Sequence, residues 1–122
     1  MKSDDDDATL GEQLAQWGKV ALLETRGRRS GRPTVTPVGF IADPDGTLLI
    51  AAASQTSDWA RNLRATAECR VTIEDRTADY VAHEADDATR AATTVALILK
   101  YGTPAERLGH GPVFRLVPAD PR

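Results

Sequence analysis

Six short runs of β-compatible residues, most of them bounded by turn formers, constrain the fold of this chain more than any other feature of its sequence. The alternation is clearest where Cys69, Val71 and Ile73 are separated by polar neighbours, the period of a half-buried strand. The turn Asp43-Pro-Asp-Gly46 separates two other runs, because proline presets φ and glycine tolerates positive φ. The predicted strands are residues 20–25, 35–42, 48–53, 69–73, 80–83 and 113–117.

Three helical patterns accompany these strands, over about residues 9–18, 58–66 and 86–100. Thr9 and Glu12 form the capping box of the first helix. The short second helix takes Ser57 or Asp58 as its N-cap. No strand–helix–strand repeat supports a parallel sheet, so the strands favour a closed or partly closed antiparallel barrel, in which closure removes exposed edges.

Length and composition are those of a single-domain soluble protein. The 122 residues are 41% hydrophobic and 27% charged, close to the averages for globular domains. The longest apolar run, residues 48–53, is far shorter than the roughly 20 residues that cross a bilayer, and the acidic run 4–7 is unlike a signal peptide. We therefore expect a cytoplasmic protein with a disordered acidic leader over residues 1–7 and one domain over residues 8–122.

The chain has few residues suited to metal binding or nucleophilic catalysis. Cys69 is its single cysteine, which excludes an internal disulfide and leaves too few thiols for a structural zinc site. We expect Cys69 to pack as a small apolar group, and His83 and His110 to be structural or exposed. The sequence predicts no metal site, and it assigns no catalytic residue.

One basic segment stands out in a chain whose net charge is −3. Four arginines lie within residues 26–32, and the glycines among them allow backbone N–H groups to approach a ligand. Guanidinium groups bind phosphate through paired hydrogen bonds. A strand follows the segment, so it is neither a P-loop nor a dinucleotide-binding fingerprint. The residues alone leave two interpretations open, a phosphate-binding loop and a solvent-exposed basic hairpin.

The segment Thr25-Arg-Gly-Arg-Arg-Ser-Gly-Arg-Pro33 is the first of several spaced motifs. It is followed by Thr36-Pro-Val38, by a strand that leads to Ser54, and by Trp59-Ala-Arg-Asn-Leu63. In this order the motifs, which span about residues 22–73, resemble the deazaflavin-dependent nitroreductase family of the FMN-binding-like split-barrel superfamily. The resemblance implies a mainly β (α+β) fold, a six-stranded antiparallel split β-barrel with flanking helices.

The resemblance also implies a cofactor, the deazaflavin coenzyme F420, and the residues that bind it. The basic segment would hold the phosphate, the next strand would lie along the ring, and the region from Ser54 to the short helix would complete the site. Trp59 is also a candidate core residue, because a tryptophan on a short helix usually buries its ring. The implied cofactor-binding residues are Arg28, Arg29, Ser30, Gly31, Arg32, Thr36, Pro37, Val38, Ala53, Ser54, Trp59 and Asn62.

Three departures from the family pattern leave alternatives open. Thr34 stands in place of an arginine, the loop from Ser54 to Trp59 is shortened and lacks a lysine, and Ala60 replaces a tyrosine. Because the first two of these changes remove positive contacts to the acidic tail of the cofactor, FMN is the alternative cofactor. A non-catalytic cofactor binder is the alternative role.

The function that the resemblance implies is an F420-dependent oxidoreductase. Hydride would pass from the reduced cofactor to an electron-poor organic acceptor such as a nitroaromatic compound, a quinone or an enone. A homodimer is implied by analogy with other small split barrels. The negative net charge and the scarcity of aromatic residues argue against nucleic-acid binding.

Overall fold

The computed structural model describes residues 20–52, 54–101 and 111–119 of the chain. The predicted first helix and acidic leader, together with Ala53 and His110, lie outside the described residues. Neither described helix is long and apolar enough to cross a membrane. The elements of the described residues are β1 (Ala21–Arg26), β2 (Pro33–Val38), β3 (Phe40–Ala42), β4 (Leu48–Ala51), α1 (Asp58–Ala65), β5 (Glu68–Ile73), β6 (Arg76–Glu84), α2 (Asp87–Tyr101) and β7 (Val113–Pro118).

The strands form one antiparallel sheet that curls on itself. Its order is β2-β1-β5-β6-β7-β4-β3, so consecutive strands of the chain, β2 and β3, form the two edges. Only Gly39 separates Val38 from Phe40, and two Cα–Cα steps span at most about 7 Å. The edges must therefore meet at Gly39, and the sheet is bent into a barrel. The predicted fold class is confirmed.

The predicted strand 35–42 is wrong as a single strand. Its first part pairs with β1 and its second with β4, and the break between them accounts for the seventh strand. Residues at the end of α2 stabilise this break. The Lys100 Nζ donates a hydrogen bond to the Phe40 carbonyl at 2.7 Å. The Phe40 N–H donates to the Tyr101 hydroxyl at 3.2 Å. Contacts from a helix some 60 residues away thus divide a run that reads locally as one strand.

The strand β6 is longer than the sequence predicts. It spans Arg76–Glu84, whereas the apolar pattern marked only residues 80–83. Its first residues are exposed and polar or small, so they carry no hydrophobic signal. They are strand because they pair with β5 in register, Ile73 opposite Arg76 and Thr72 opposite Thr77. Pairing with a neighbouring strand replaces burial as the cause of the extended conformation.

Two apolar clusters lie on the two faces of the sheet. Successive strand residues point to opposite faces, and β4 supplies Ile50 to the barrel interior and Ala51 to the outer cluster. The interior contains the fully buried Leu23 and Leu116, and α1 covers one side of it. In the outer cluster Leu97 of α2 packs on β4 and β7. The barrel interior is therefore one core, and the packing of α2 on the outer face of the sheet is a second.

Candidate cofactor-binding site

The loop between β1 and β2, residues 27–32, is the basic loop. Its backbone closes on itself, because the Gly27 N–H donates to the Arg32 carbonyl and the Gly31 N–H to the Gly27 carbonyl, each at 2.8 Å. Gly31 has φ of +75°, a left-handed conformation that favours glycine. The Ser30 hydroxyl oxygen accepts the Arg32 N–H at 3.1 Å. The loop is thus an ordered turn.

Two arginines of the basic loop keep their charge available. Arg29 and Arg32 are exposed, and their guanidinium groups make no hydrogen bond or ion pair with any residue that the structure describes. Arg26, at the end of β1, differs in that it donates to the Gly31 carbonyl at 3.1 Å. Guanidinium groups of this kind, exposed on an ordered turn, have the charge and the hydrogen-bond donors that could hold an anion such as phosphate.

Arg28 points inward to α1 and is only 24% exposed. Its Nη1 donates to the Asn62 Oδ1 at 2.9 Å, and its Nη2 lies 3.3 Å from the Asp58 carboxylate. The Arg28 backbone N–H also donates to the Asn62 Oδ1, at 3.2 Å. The Asn62 Nδ2 in turn donates to the Thr25 hydroxyl at 3.1 Å. This network joins β1, the basic loop and α1.

The three predicted ring-contacting residues of β2 do not share one face. Thr36 and Val38 lie opposite Leu23 and Ala21, whose side chains fill the interior, and Val38 is itself buried. Pro37 is exposed on the outer face, two residues from Val35, which is 56% exposed. The outer face of β2 therefore offers Val35 and Pro37 as an apolar surface beside the basic loop, and Val38 belongs to the core.

The segment before α1 and the helix itself have different roles. The Ser54 hydroxyl lies 3.0 Å from the Thr56 hydroxyl and also accepts the Thr56 N–H at 3.2 Å, a local turn into the helix. The Trp59 ring packs against Phe114, with the ring centroids 5.9 Å apart. Ala60 is fully buried. The structure thus brings α1 to the basic loop through Arg28 and places Trp59 against the core.

Sequence reasoning missed the contact between the basic loop and α1. Asp58 was expected only as a helix cap, yet its carboxylate pairs with Arg28. One signal for this contact is present, since Asp58 and Asn62 are four residues apart and so share a helix face. That face meets the loop only in the folded barrel.

Sequence reasoning also missed a cavity of about 490 Å³ at the base of the basic loop. Arg26 and Pro33 line it from the loop side, and Cys69 and Tyr80 line it from β5 and β6. Burial raises the pKa of the Cys69 thiol to about 12 and also raises the pKa of the Tyr80 phenol. Neither group titrates near neutral pH, so the cavity wall offers no thiolate nucleophile. Within the described ranges, no three histidine, cysteine or acidic side chains are placed to hold a metal ion.

Solved structures share this fold. The haem storage protein HutZ from Vibrio cholerae superposes with a TM-score of 0.71 at 23% identity, covering 89% of this chain and 87% of that one. An F420-H2 dependent reductase gives 0.67 at 21% identity, with 80% and 93% coverage. A structure described as a domain-swapped dimer gives 0.67 at 19% identity, with 94% and 99% coverage. At these identities the likeness is one of fold.

A family model supplies the evidence on function. The model described as F420H(2)-dependent quinone reductase matches residues 2–106, most of the chain. The match confirms the resemblance seen in the motifs and names F420 rather than FMN as the cofactor. The chain belongs to the F420H(2)-dependent quinone reductase family, oxidoreductases whose cofactor is coenzyme F420.

Proposed function

We propose that this reductase holds F420 by its phosphate at Arg29 and Arg32 and reduces a quinone-class acceptor. The observation that carries the proposal is the pair of exposed guanidinium groups that have no partner in residues 20–52, 54–101 and 111–119, on an ordered turn, in a chain of this family. Nitroaromatic compounds and enones are the other electron-poor acceptors that the sequence resemblance implied. The family description favours the quinone.

The residues of the basic loop fit a phosphate-bearing cofactor. Arg29 and Arg32 supply charge-assisted donors, and Ser30 keeps its O–H free because its oxygen only accepts from Arg32. The N–H of Gly31 is already bonded to the Gly27 carbonyl, so this glycine contributes its conformation rather than a donor. We assign phosphate binding to the side chains of the loop.

Bound F420H2 supplies a hydride to the acceptor. The chain contributes position, charge neutralisation and an apolar surface. Val35 and Pro37 on the outer face of β2 begin about 10 Å along the strand from Arg32 and give a planar ring system an apolar wall. The Tyr101 O–H donates to the Phe40 carbonyl at 3.4 Å, and its oxygen accepts the Phe40 N–H, so we assign the proton for the reduced acceptor to solvent rather than to this phenol.

The test of cofactor binding is an equilibrium titration with F420. Wild type should bind, and the Arg29→Ala/Arg32→Ala double variant should bind far more weakly. Each lost charge-assisted contact costs about 1.5–3 kcal/mol, or roughly ten- to over a hundredfold in Kd. Arg76→Ala is the matched control, because this exposed arginine of β6 pairs with Ile73 of β5 near the start of β1, whereas the basic loop follows the end of β1. Absence of binding by wild type, or equal Kd values for all three proteins, would refute the proposal.

The acceptor is tested by following oxidation of F420H2 with a naphthoquinone, a nitroaromatic compound and a cyclic enone. We expect the largest kcat/KM for the quinone. If only the nitroaromatic compound or only the enone were reduced, that acceptor would replace the quinone in the proposal. If F420 bound but none of the three acceptors were reduced, the protein would be a cofactor carrier.

We also propose a homodimer. The fold relative described as a domain-swapped dimer supports this, as do Val95 and Leu99 of α2, which are 57% and 82% exposed. Large apolar side chains on one helix face are typical of interaction surfaces. Light scattering should give twice the chain mass for wild type and a monomer for Leu99→Lys. A monomeric wild type would refute this.

A further inference from the structure

The buried side-chain amide of Asn62 on α1 is hydrogen-bonded to the basic loop. Asn62 is 3% exposed, and its side-chain hydrogen bonds within the described part of the chain reach residues outside its own helix. Its Oδ1 accepts both the backbone N–H and the Nη1 of Arg28, at 3.2 and 2.9 Å. Its Nδ2 donates to Thr25, itself 2% exposed. A buried amide costs free energy unless it is hydrogen-bonded, and this one finds its partners in β1 and the loop.

The same helix also neutralises the charge of Arg28. The Asp58 carboxylate lies 3.3 Å from its Nη2, and the Asp58 carbonyl accepts its Nη1 at 3.4 Å. Arg28 thus has its charge paired with Asp58 and both Nη atoms hydrogen-bonded, whereas the guanidinium groups of Arg29 and Arg32 have no such partner among the described residues. Three neighbouring arginines of one motif therefore divide into one that faces the protein and two that face solvent.

We propose that Asn62 and Arg28 are positioning residues that fix the basic loop so that Arg29 and Arg32 meet the phosphate of the cofactor. The inference rests on the proposed phosphate site and goes beyond it by removing Asn62 and Arg28 from direct contact with the cofactor. A loop already ordered in the free protein loses its conformational freedom on folding rather than on binding, which tightens the complex.

The first experiment compares Asn62→Leu with the conservative Asn62→Asp. Leucine has a similar size and no hydrogen bonds, whereas aspartate keeps acceptor oxygens for Arg28 and lets the Thr25 hydroxyl donate. Kd is measured for F420 and for 8-hydroxy-5-deazariboflavin, which has the ring and ribityl chain without phosphate. We expect Asn62→Leu to raise the Kd for F420 about tenfold and that for the phosphate-free compound less than about twofold, with Asn62→Asp near wild type. Equal losses for both ligands would show a merely structural role and overturn the inference.

The second experiment places Asn62→Leu in the Arg29→Ala/Arg32→Ala background. If Asn62 acts through these arginines, the added substitution changes the Kd for F420 by less than about twofold, because coupled positions are not additive. A further tenfold loss would mean an independent contact and would overturn the inference. Should Asn62→Leu fail to fold, Arg28→Met in the same background gives the same test, since a direct phosphate ligand would add its own loss.

Hydrogen exchange without cofactor separates this inference from the proposed function. The Arg28 amide should exchange faster in Asn62→Leu than in Asn62→Asp, while the amides of Leu23 and Leu116 keep their protection. Faster exchange with an unchanged Kd for F420 would overturn positioning and leave the phosphate site standing. No binding of F420 by wild type would instead overturn the proposed function, and with it the assignment of a role to the ordered loop.

Discussion

Replacement of Gly111 by alanine should destabilise the protein strongly, because there is no room for a side chain at this position. Gly111 is buried just before β7 and faces the backbone that follows β4. A Cβ built there contacts the Ala52 carbonyl oxygen and lies 2.7 Å from its carbonyl carbon and 2.8 Å from the Ser54 nitrogen. These neighbours are backbone atoms, so no side-chain rotation relieves the overlap.

The expected cost follows from these distances. Ordinary contact needs roughly 3.5 Å, so the two backbones must separate by at least about 0.7–0.8 Å, and by more where the Cβ meets the Ala52 oxygen. The Ala52 N–H donates to the Pro112 carbonyl at 2.9 Å, and the same displacement would take this hydrogen bond beyond its normal range. Overpacking strain costs about 1–3 kcal/mol, and an unpaired buried N–H costs about 1–3 kcal/mol more. We expect a loss of about 2–6 kcal/mol, or about 8–23 °C in Tm.

The assay is urea unfolding followed by far-UV circular dichroism, with Gly46→Ala as the matched control. Gly46 has φ of +92°, and a Cβ there lies 3.5 Å from Pro118 Cγ, an ordinary contact. Its substitution carries only the conformational penalty of about 1–2 kcal/mol. If Gly111→Ala and Gly46→Ala lowered the free energy of unfolding by the same amount, the close approach of the two backbones would not explain the glycine at position 111.

Three other changes test the local chemistry. Burial raises the pKa of the Cys69 thiol to about 12, so this thiol should resist iodoacetamide at pH 8 in the folded protein and react with it in urea. Rapid labelling of the native protein would contradict this. A hydrogen bond from Arg64 lowers the pKa of the Glu84 carboxyl, so the pair stabilises the fold above the ordinary carboxyl pKa. That contribution, at most about 1 kcal/mol for a surface pair, is lost as the pH falls through the lowered pKa. Urea unfolding at pH 7 and pH 3 should show a smaller acid loss for Glu84→Gln, and equal losses would refute the pairing. The Asp86 carboxylate accepts the Thr89 N–H at 2.8 Å, which lowers its pKa, so Asp86→Ala should reduce Tm more than Asp86→Asn, and equal reductions would exclude capping.

The two halves of residues 35–42 show the limit of local patterns. Both halves form strands, as their β propensity and the turns before and after them predict, because these signals are local. Their division at Gly39 depends on Lys100 and Tyr101, which bond to Phe40 from the far end of α2. No window of sequence around Gly39 contains those partners, so the sequence predicts the strand and misses the break.

The basic loop shows the same limit in the candidate site. Glycine and arginine in close succession between two strands predict a basic turn that either binds an anion or is simply exposed, because backbone freedom and guanidinium chemistry belong to the residues themselves. Which arginine remains free is not a local property. Arg28 is turned inward by Asp58 and Asn62, at least 30 residues along the chain, and this leaves Arg29 and Arg32 to solvent.

The sequence by itself determined the fold class, the family and the position of the basic loop, since hydrophobic period, turn chemistry and motif spacing are properties of the residues in order. Its motifs left FMN open beside F420, and the match to the family model decided for F420. The tertiary structure alone decided where the barrel closes, which face of β2 is exposed, and how the arginines divide. These features arise from contacts between residues far apart in the chain. Closing the barrel brings α1 beneath the loop, and Asn62 then determines what the basic segment presents to a ligand.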